Sequence, residues 1–200
     1  MAEFDNNIVY ATGSLVNGLR LICGGSTADD GYSKNCLLLT ETKTVIVTQM
    51  NMKRSSAASV VVEGNKLWVL GGVVVGEWIG YIYSTEYITN GESSKMGPDL
   101  PIPLWKHAIV AIDAKSIMMI GGSTIDDNYL SKTFQFSNQN WTIGPYLNQG
   151  RSAHGARLIT DRVTKENFMI VAGGFNGTTL DSVEILYPET NQWKEGVQSI

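Results

Sequence analysis

The sequence predicts an all-β fold made of four copies of one small four-stranded antiparallel sheet. Three observations carry that expectation. Paired glycines recur at Gly24-Gly25, Gly71-Gly72, Gly121-Gly122 and Gly173-Gly174, at spacings of 47, 50 and 52 residues. A period in this range marks a repeat architecture. Each pair closes a short apolar run, LRLICGG, KLWVLGG, SIMMIGG or NFMIVAGG; these runs are too short for helices and rich in strand-forming residues. The phrase GGSTADDGY at 24–32 returns as GGSTIDDNY at 121–129, identical at seven of nine positions, and so marks one loop in the first and third copies.

Each copy opens with a hairpin. VYATGSLVNGLRLICGG places Asn17-Gly18 between two apolar runs, and VVVEGNKLWVLGG does the same with Glu63-Gly64-Asn65. An Asn-Gly step of this kind suits a type I′ turn, which needs positive φ twice. A polar loop follows each glycine pair, then a third and a fourth strand. The last copy shows them best: VEILY, a turn at Pro188 and Glu189-Thr190-Asn191, then Gln192-Trp193. In the third copy Trp141 takes the place of Trp193, 52 residues earlier. A sheet this small buries little by itself, so the copies must stack face to face around an axis.

Hairpin, double glycine, polar loop, a Val-Glu-x-Tyr-like strand, a proline-acid-Thr-Asn turn and tryptophan together resemble the kelch repeat, over residues 8–196. The resemblance implies a kelch-type β-propeller. Its blades would span 8–54, 55–103, 104–150 and 151–196, with tails at 1–7 and 197–200. It implies a structural role for the eight glycines and for Trp141 and Trp193, apolar plates suited to the wedge between blades. The repeats are diverged. Thr44-Val45-Ile46-Val47 and Ser93-Ser94-Lys95-Met96 replace the fourth-strand tryptophan in the first two copies. Leu186 and Tyr187 stand in the usual tyrosine and aspartate places. Arg-x-x-His is complete only at Arg151-Ser152-Ala153-His154, with a partial version at Arg54-Ser55-Ser56-Ala57 and Leu104-Trp105-Lys106-His107 in the third copy. Kelch propellers usually have six or seven blades, so four copies imply a partial, open propeller whose end blades expose apolar faces and self-associate.

The 200 residues are 43 % apolar and 17 % charged, with net charge −4 and pI near 5.2. This is no basic footprint, and nucleic acid is not an expected partner. No apolar window reaches the length of a membrane span, and MAEFDNNIVY has neither the basic nor the apolar part of a signal peptide. A cytoplasmic, non-membrane protein is the expectation. Cys23 and Cys36 are the only cysteines. Two buried free thiols are the expected state; a bridge between neighbouring strands is the alternative.

By the same resemblance, the loops after the glycine pairs (26–33, 73–84, 123–131, 175–180) and the connections between blades share a partner-binding face. The pairs Asp29-Asp30 and Asp126-Asp127 fit turn capping better than calcium, which needs six to eight oxygens. The candidate recognition residues are Arg54, Trp78, Tyr81, Trp105, Lys106, Arg151 and His154, because aromatic residues and arginine dominate binding hot spots. Tyr83 joins the aromatic cluster of the second loop. His107 and His154 recur at 47 residues, near the repeat length, which suits a structural place at the start of a strand. No nucleophile elbow, P-loop or metal motif occurs, so no catalytic, cofactor or metal residue is expected. The chain reads as a protein-binding module, with substrate recognition for a cullin-type ubiquitin ligase or actin binding as roles the resemblance implies. A galactose-oxidase-like or mutarotase-like propeller enzyme, and an incomplete fragment of a larger kelch protein, are the alternatives.

Overall fold

The computed structural model describes residues 8–27, 31–75, 79–89, 92–126, 129–187 and 189–196. Every regular element among them is a strand. The chain divides into two compact units, Met1–Trp105 and Lys106–Ile200, each holding two four-stranded antiparallel sheets.

In the first unit, β1 (Thr12–Val16), β2 (Leu19–Cys23), β5 (Asn35–Leu39) and β6 (Thr44–Gln49) make one sheet in that order. The second consists of β7 (Ala58–Val62), β8 (Lys66–Leu70), β11 (Thr85–Ile88) and β12 (Lys95–Met96). The loops after their glycine pairs, expected to be irregular, fold into two-stranded hairpins: β3 (Ser26–Thr27) with β4 (Gly31–Tyr32), and β9 (Val73–Val75) with β10 (Ile79–Tyr81). In the second unit, β13 (Ala108–Ala111), β14 (Ile117–Ile120), β15 (Thr133–Ser137) and β16 (Asn140–Ile143) form the third sheet. The fourth is β17 (Gly155–Thr160), β18 (Asn167–Ala172), β19 (Val183–Tyr187) and β20 (Gln192–Glu195). All four sheets are simple meanders.

The turns follow from the residues that make them. Asn17 and Gly18 both have positive φ, 51° and 76°, the twist a two-residue hairpin needs to match its strands. The β15–β16 turn repeats the geometry at Asn138 and Gln139, φ 49° and 62°, without a glycine.

In each unit a core forms where its two sheets face each other. In the first unit, Val16, Leu21, Cys23 and Cys36 cover Leu67, Val69 and Ile88. In the second, Val110, Met118 and Ile120 cover Met169, Val171 and Leu186, with Trp193 closing the layer. The two cores use the same registers. Counting back from the first glycine of each pair, Cys23 and Ile120 are equivalent, as are Leu21 and Met118; on the receiving side Val69 matches Val171, and Leu67 matches Met169. Alternation along the strands therefore gives every sheet a covering face and a receiving face.

The expectation of free thiols is overturned. Cys23 and Cys36 form a disulfide. They are directly opposed residues of β2 and β5, with Cα atoms 4.1 Å apart, and both are buried. The other three sheets hold Leu70 with Thr85, Ile120 with Thr133, and Ala172 with Val183 at this register. The bridge closes the loop that carries the β3–β4 hairpin. Replacing both cysteines with alanine is expected to lower stability by about 3 kcal/mol, the scale for a short closed loop. Chemical denaturation of the oxidised wild type and the double variant checks this, and thiol alkylation of the unreduced protein should label neither position.

Candidate protein-recognition site

The site is the diglycine end of the sheets, and its frame is backbone. The second glycine of the first three pairs donates its N–H to the segment after its sheet: Gly25 to the Arg54 carbonyl (2.9 Å), Gly72 to Leu104 (2.8 Å), Gly122 to Arg151 (2.8 Å). That approach leaves no room for a side chain on the first glycine, since a Cβ at Gly24 would lie 2.5 Å from the Arg54 carbonyl oxygen and one at Gly121 2.6 Å from that of Arg151. The second glycine is hemmed in by the connector before its sheet. Gly72 has φ +100°, and a Cβ there would lie 2.7 Å from the Ser55 carbonyl oxygen, so both shape and conformation demand glycine. Beyond it the connector pairs with the next loop, Ser55 with Val73 and Ser152 with Phe175, each by two hydrogen bonds. A residue with positive φ comes next: Tyr10, Ser56, Lys106 and Ala153, at 52–57°. These residues link in turn, Ser56 N–H to Tyr10 O and Ala153 N–H to Lys106 O.

Two buried ion pairs hold this frame from below. Arg54 donates to the Gly71 and Ser84 carbonyls, the Ser84 hydroxyl and Glu86 Oε1, the last at 2.7 Å. Glu86 also accepts from the N–H groups of Asn51 and Met52, the Asn51 amide and the Ser94 hydroxyl. Arg151 repeats the pattern on Gly173, Ser182 and Glu184, and Glu184 accepts from the N–H groups of Asn148 and Gln149. All four side chains are essentially inaccessible. Burial lowers the Arg54 pKa against the pull of Glu86. For Glu86 burial is the largest single influence and raises its pKa, yet the hydrogen bonds from Asn51, Ser94 and Met52 together with the Arg54 charge hold it below the usual value.

Arg54 and Arg151 were expected on the recognition surface, and here the structure corrects the sequence reading. Each is a strut from connector to sheet, with no guanidinium face left for a partner. His154 is corrected in the same way, being buried ahead of β17, as His107 is ahead of β13. Glu86 and Glu184 escaped the sequence reading. The signal was available: arginine and glutamate lie 32 and 33 residues apart in the two instances. At the equivalent positions of the first sheet both residues are apolar, Ile8 and Leu37.

Above the frame stand aromatic residues. Tyr32, Tyr81 and Tyr129 occupy one register, since the following residue in each case donates to the second glycine's carbonyl: Ser33 to Gly25, Ile82 to Gly72, Leu130 to Gly122. In the first unit the half-buried Tyr81 rests on half-buried Trp105, ring centroids 5.0 Å apart, with Tyr83 50 % exposed close by in sequence. In the second, Tyr129 meets Phe175 edge to face at 5.7 Å. Lys106 is exposed. Trp78, Asp29, Asp30 and Asp127 lie outside the described residues, and Asp126 is exposed. Among the described residues no three His, Cys, Asp or Glu side chains gather as a metal site would require.

Trp193 and Trp141 are packing residues. Trp193 is buried in the second unit's core and donates its Nε1 to the Pro145 carbonyl at 3.0 Å. Trp141 lies on Phe136, centroids 5.0 Å apart. Residues 168–197, which contain β18 to β20, match the family described as the Kelch motif. Over that stretch the chain is similar to a kelch motif. The match covers the last three strands of the fourth sheet, with its diglycine corner and its buried tryptophan. No curated protein matches the chain.

Two outcomes are expected. Arg54→Leu alone should cost about 3–5 kcal/mol, because it leaves Glu86 charged and buried without its partner. Arg54→Ile with Glu86→Leu, the apolar combination the first sheet carries at Ile8 and Leu37, should recover most of that loss in urea denaturation. The histidines set a pH dependence. Burial, then the neighbouring His154, push His107 down to about 3. Burial and then Arg151 take His154 to about 4, the Ile120 backbone opposing. Unfolded imidazoles take up protons near 6.5, so the unfolded chain binds more protons between that pH and 4. Stability should be full above pH 6.5 and fall as pH drops toward 4; His107→Leu should flatten the slope measured by denaturation across that range.

Proposed function

We propose that this chain is a protein-recognition module that takes its partner on the diglycine end, through the tyrosine register and the aromatic pair beside it. Kelch repeats are in general protein-interaction modules. The observation that carries the reading is the Tyr81–Trp105 pair: two large half-buried rings in mutual contact on a loop hairpin, where neither belongs to the sheet core. Tyrosine and tryptophan provide wide, stiff contact area at low entropic cost, which is why they concentrate in hot spots. Tyr83 belongs to the same proposed surface of the first unit. Substrate delivery to a ubiquitin ligase and actin binding are the finer roles within this reading, and a cytoplasmic site of action goes with both.

The test is a photo-crosslinking residue placed at Tyr81, with Lys66, exposed at the end of β8 away from the diglycine corner, as the control. Adducts should form from position 81 and not from 66; capture from 66 alone would sink the proposal. Once a partner is in hand, Tyr81→Ala with Trp105→Ala should weaken it by about 2 kcal/mol or more, roughly thirtyfold, in a titration that leaves the unfolding midpoint little changed.

A further inference from the structure

Asn-Gly steps occur at 17–18, 90–91 and 176–177; the step at 90–91 lies outside the described residues. With no Cβ, glycine offers the least hindered of backbone nitrogens, and that nitrogen can close a ring on the side-chain carbonyl carbon of the asparagine before it. Local structure decides whether it does, and the fold treats the two described steps differently. Asn17-Gly18 is clamped. It forms the turn between β1 and β2, with Val16 and Leu19 directly paired on either side, and both turn residues hold positive φ, 51° and 76°. Swinging the Gly18 nitrogen onto the Asn17 side chain requires rotating the peptide between them. That rotation breaks the turn that sets the register of the hairpin.

Asn176-Gly177 has no strands at its sides. It sits in the loop between β18 and β19, where Phe175 bridges to Thr179 and the Asn176 N–H donates to the Thr178 carbonyl at 3.1 Å. Gly177 has φ +101°, and nothing lies within 4 Å of the place its Cβ would take. Its N–H enters no backbone hydrogen bond among the described residues, so the nucleophile is free. The electrophile has a donor beside it: the Thr178 hydroxyl lies 3.5 Å from Asn176 Oδ1. A contact of that length is weak at rest and shortens as negative charge builds on the oxygen. Gly18 and Gly177 are both exposed, so access to solvent does not separate the two steps.

We propose that Asn176 is a site of self-modification, at which the folded loop closes a cyclic imide and opens it to aspartate or isoaspartate. The Gly177 nitrogen gives its proton to hydroxide and bonds to Cγ of Asn176. The charge passes to Oδ1, where the Thr178 hydroxyl donates to it. The bond from Cγ to the amide nitrogen then breaks, and that nitrogen leaves as ammonia with a proton from water, which restores the hydroxide. A second water opens the imide at either carbonyl. Only water and hydroxide are consumed or recycled, so no further reactant is needed. The product places a new carboxylate next to Phe175, whose ring meets Tyr129. In the isoaspartate form the main chain also gains a methylene inside the Phe175–Thr179 bridge. The chemistry is independent of the recognition reading, and failure of either leaves the other intact.

The folded protein is warmed in mildly alkaline buffer, beside a sample held unfolded in urea, and Asn17 and Asn176 are followed by peptide mapping with mass spectrometry. In urea both steps should convert at like rates. In the folded protein Asn176 should convert, faster as pH rises, while Asn17 persists. Thr178→Val should slow conversion at Asn176 roughly fivefold in the folded protein, the scale of one hydrogen bond, and leave the rate in urea unchanged. Thr178→Ser keeps the hydroxyl and should react as the wild type does; circular dichroism checks that both variants are folded. Equal conversion at Asn17 and Asn176 in the folded protein overturns the proposal. So does an Asn176 that reacts only in urea, or a pair of Thr178 variants that react alike in the folded state.

Discussion

The close backbone approach at each diglycine corner is the constraint on which the rest depends. A four-stranded meander of these lengths has two faces and cannot bury both. Its neighbour must therefore come from the next stretch of chain, delivered at a fixed distance and angle. The N–H of Gly25, Gly72 or Gly122 fixes both by bonding directly to the connector. The missing Cβ makes the distance attainable, and positive φ turns the strand out of the sheet. Sheet stacking, core register and the place of the loops all follow from that short hydrogen bond.

The ion pairs show how the same mechanical task is met by unlike chemistry. Arg54 and Arg151 bind backbone carbonyls and a glutamate that itself gathers the N–H groups of the preceding connector. Removing two charges from water is costly, and the hydrogen bonds from the two terminal guanidinium nitrogens and onto the glutamate offset that cost. Where both positions are apolar, as at Ile8 and Leu37, the desolvation cost vanishes together with the directional bonds. Within the first unit the two positions are matched in kind, both charged or both apolar. A lone buried charge is the one arrangement the interior does not tolerate.

Much of the fold was legible because its signals are local. The glycine pairs, the Asn17-Gly18 turn and the short apolar runs each have a conformational cause that acts within a few residues, and the strands fall where those runs do. The candidate site was less legible. Arginine near a loop suggests a surface group when sequence alone is considered, because arginine is rarely buried. Only the convergence of Gly71, Ser84 and Glu86, 17 to 32 residues away, makes burial of Arg54 affordable. The cysteines failed the reading for a related reason: β2 and β5 could be placed approximately, but opposition of Cys23 and Cys36 depends on register to the residue.

The sequence by itself determined the all-β class, the repeating unit and its corners, because backbone preference and side-chain alternation are properties of short segments. Tertiary structure decided which polar groups are struts and which are exposed, that the two thiols are joined, and which sheet faces find a neighbour. Those outcomes rest on distances between residues far apart in the chain, and burial, the quantity that sets their chemistry, exists only once the sheets are stacked.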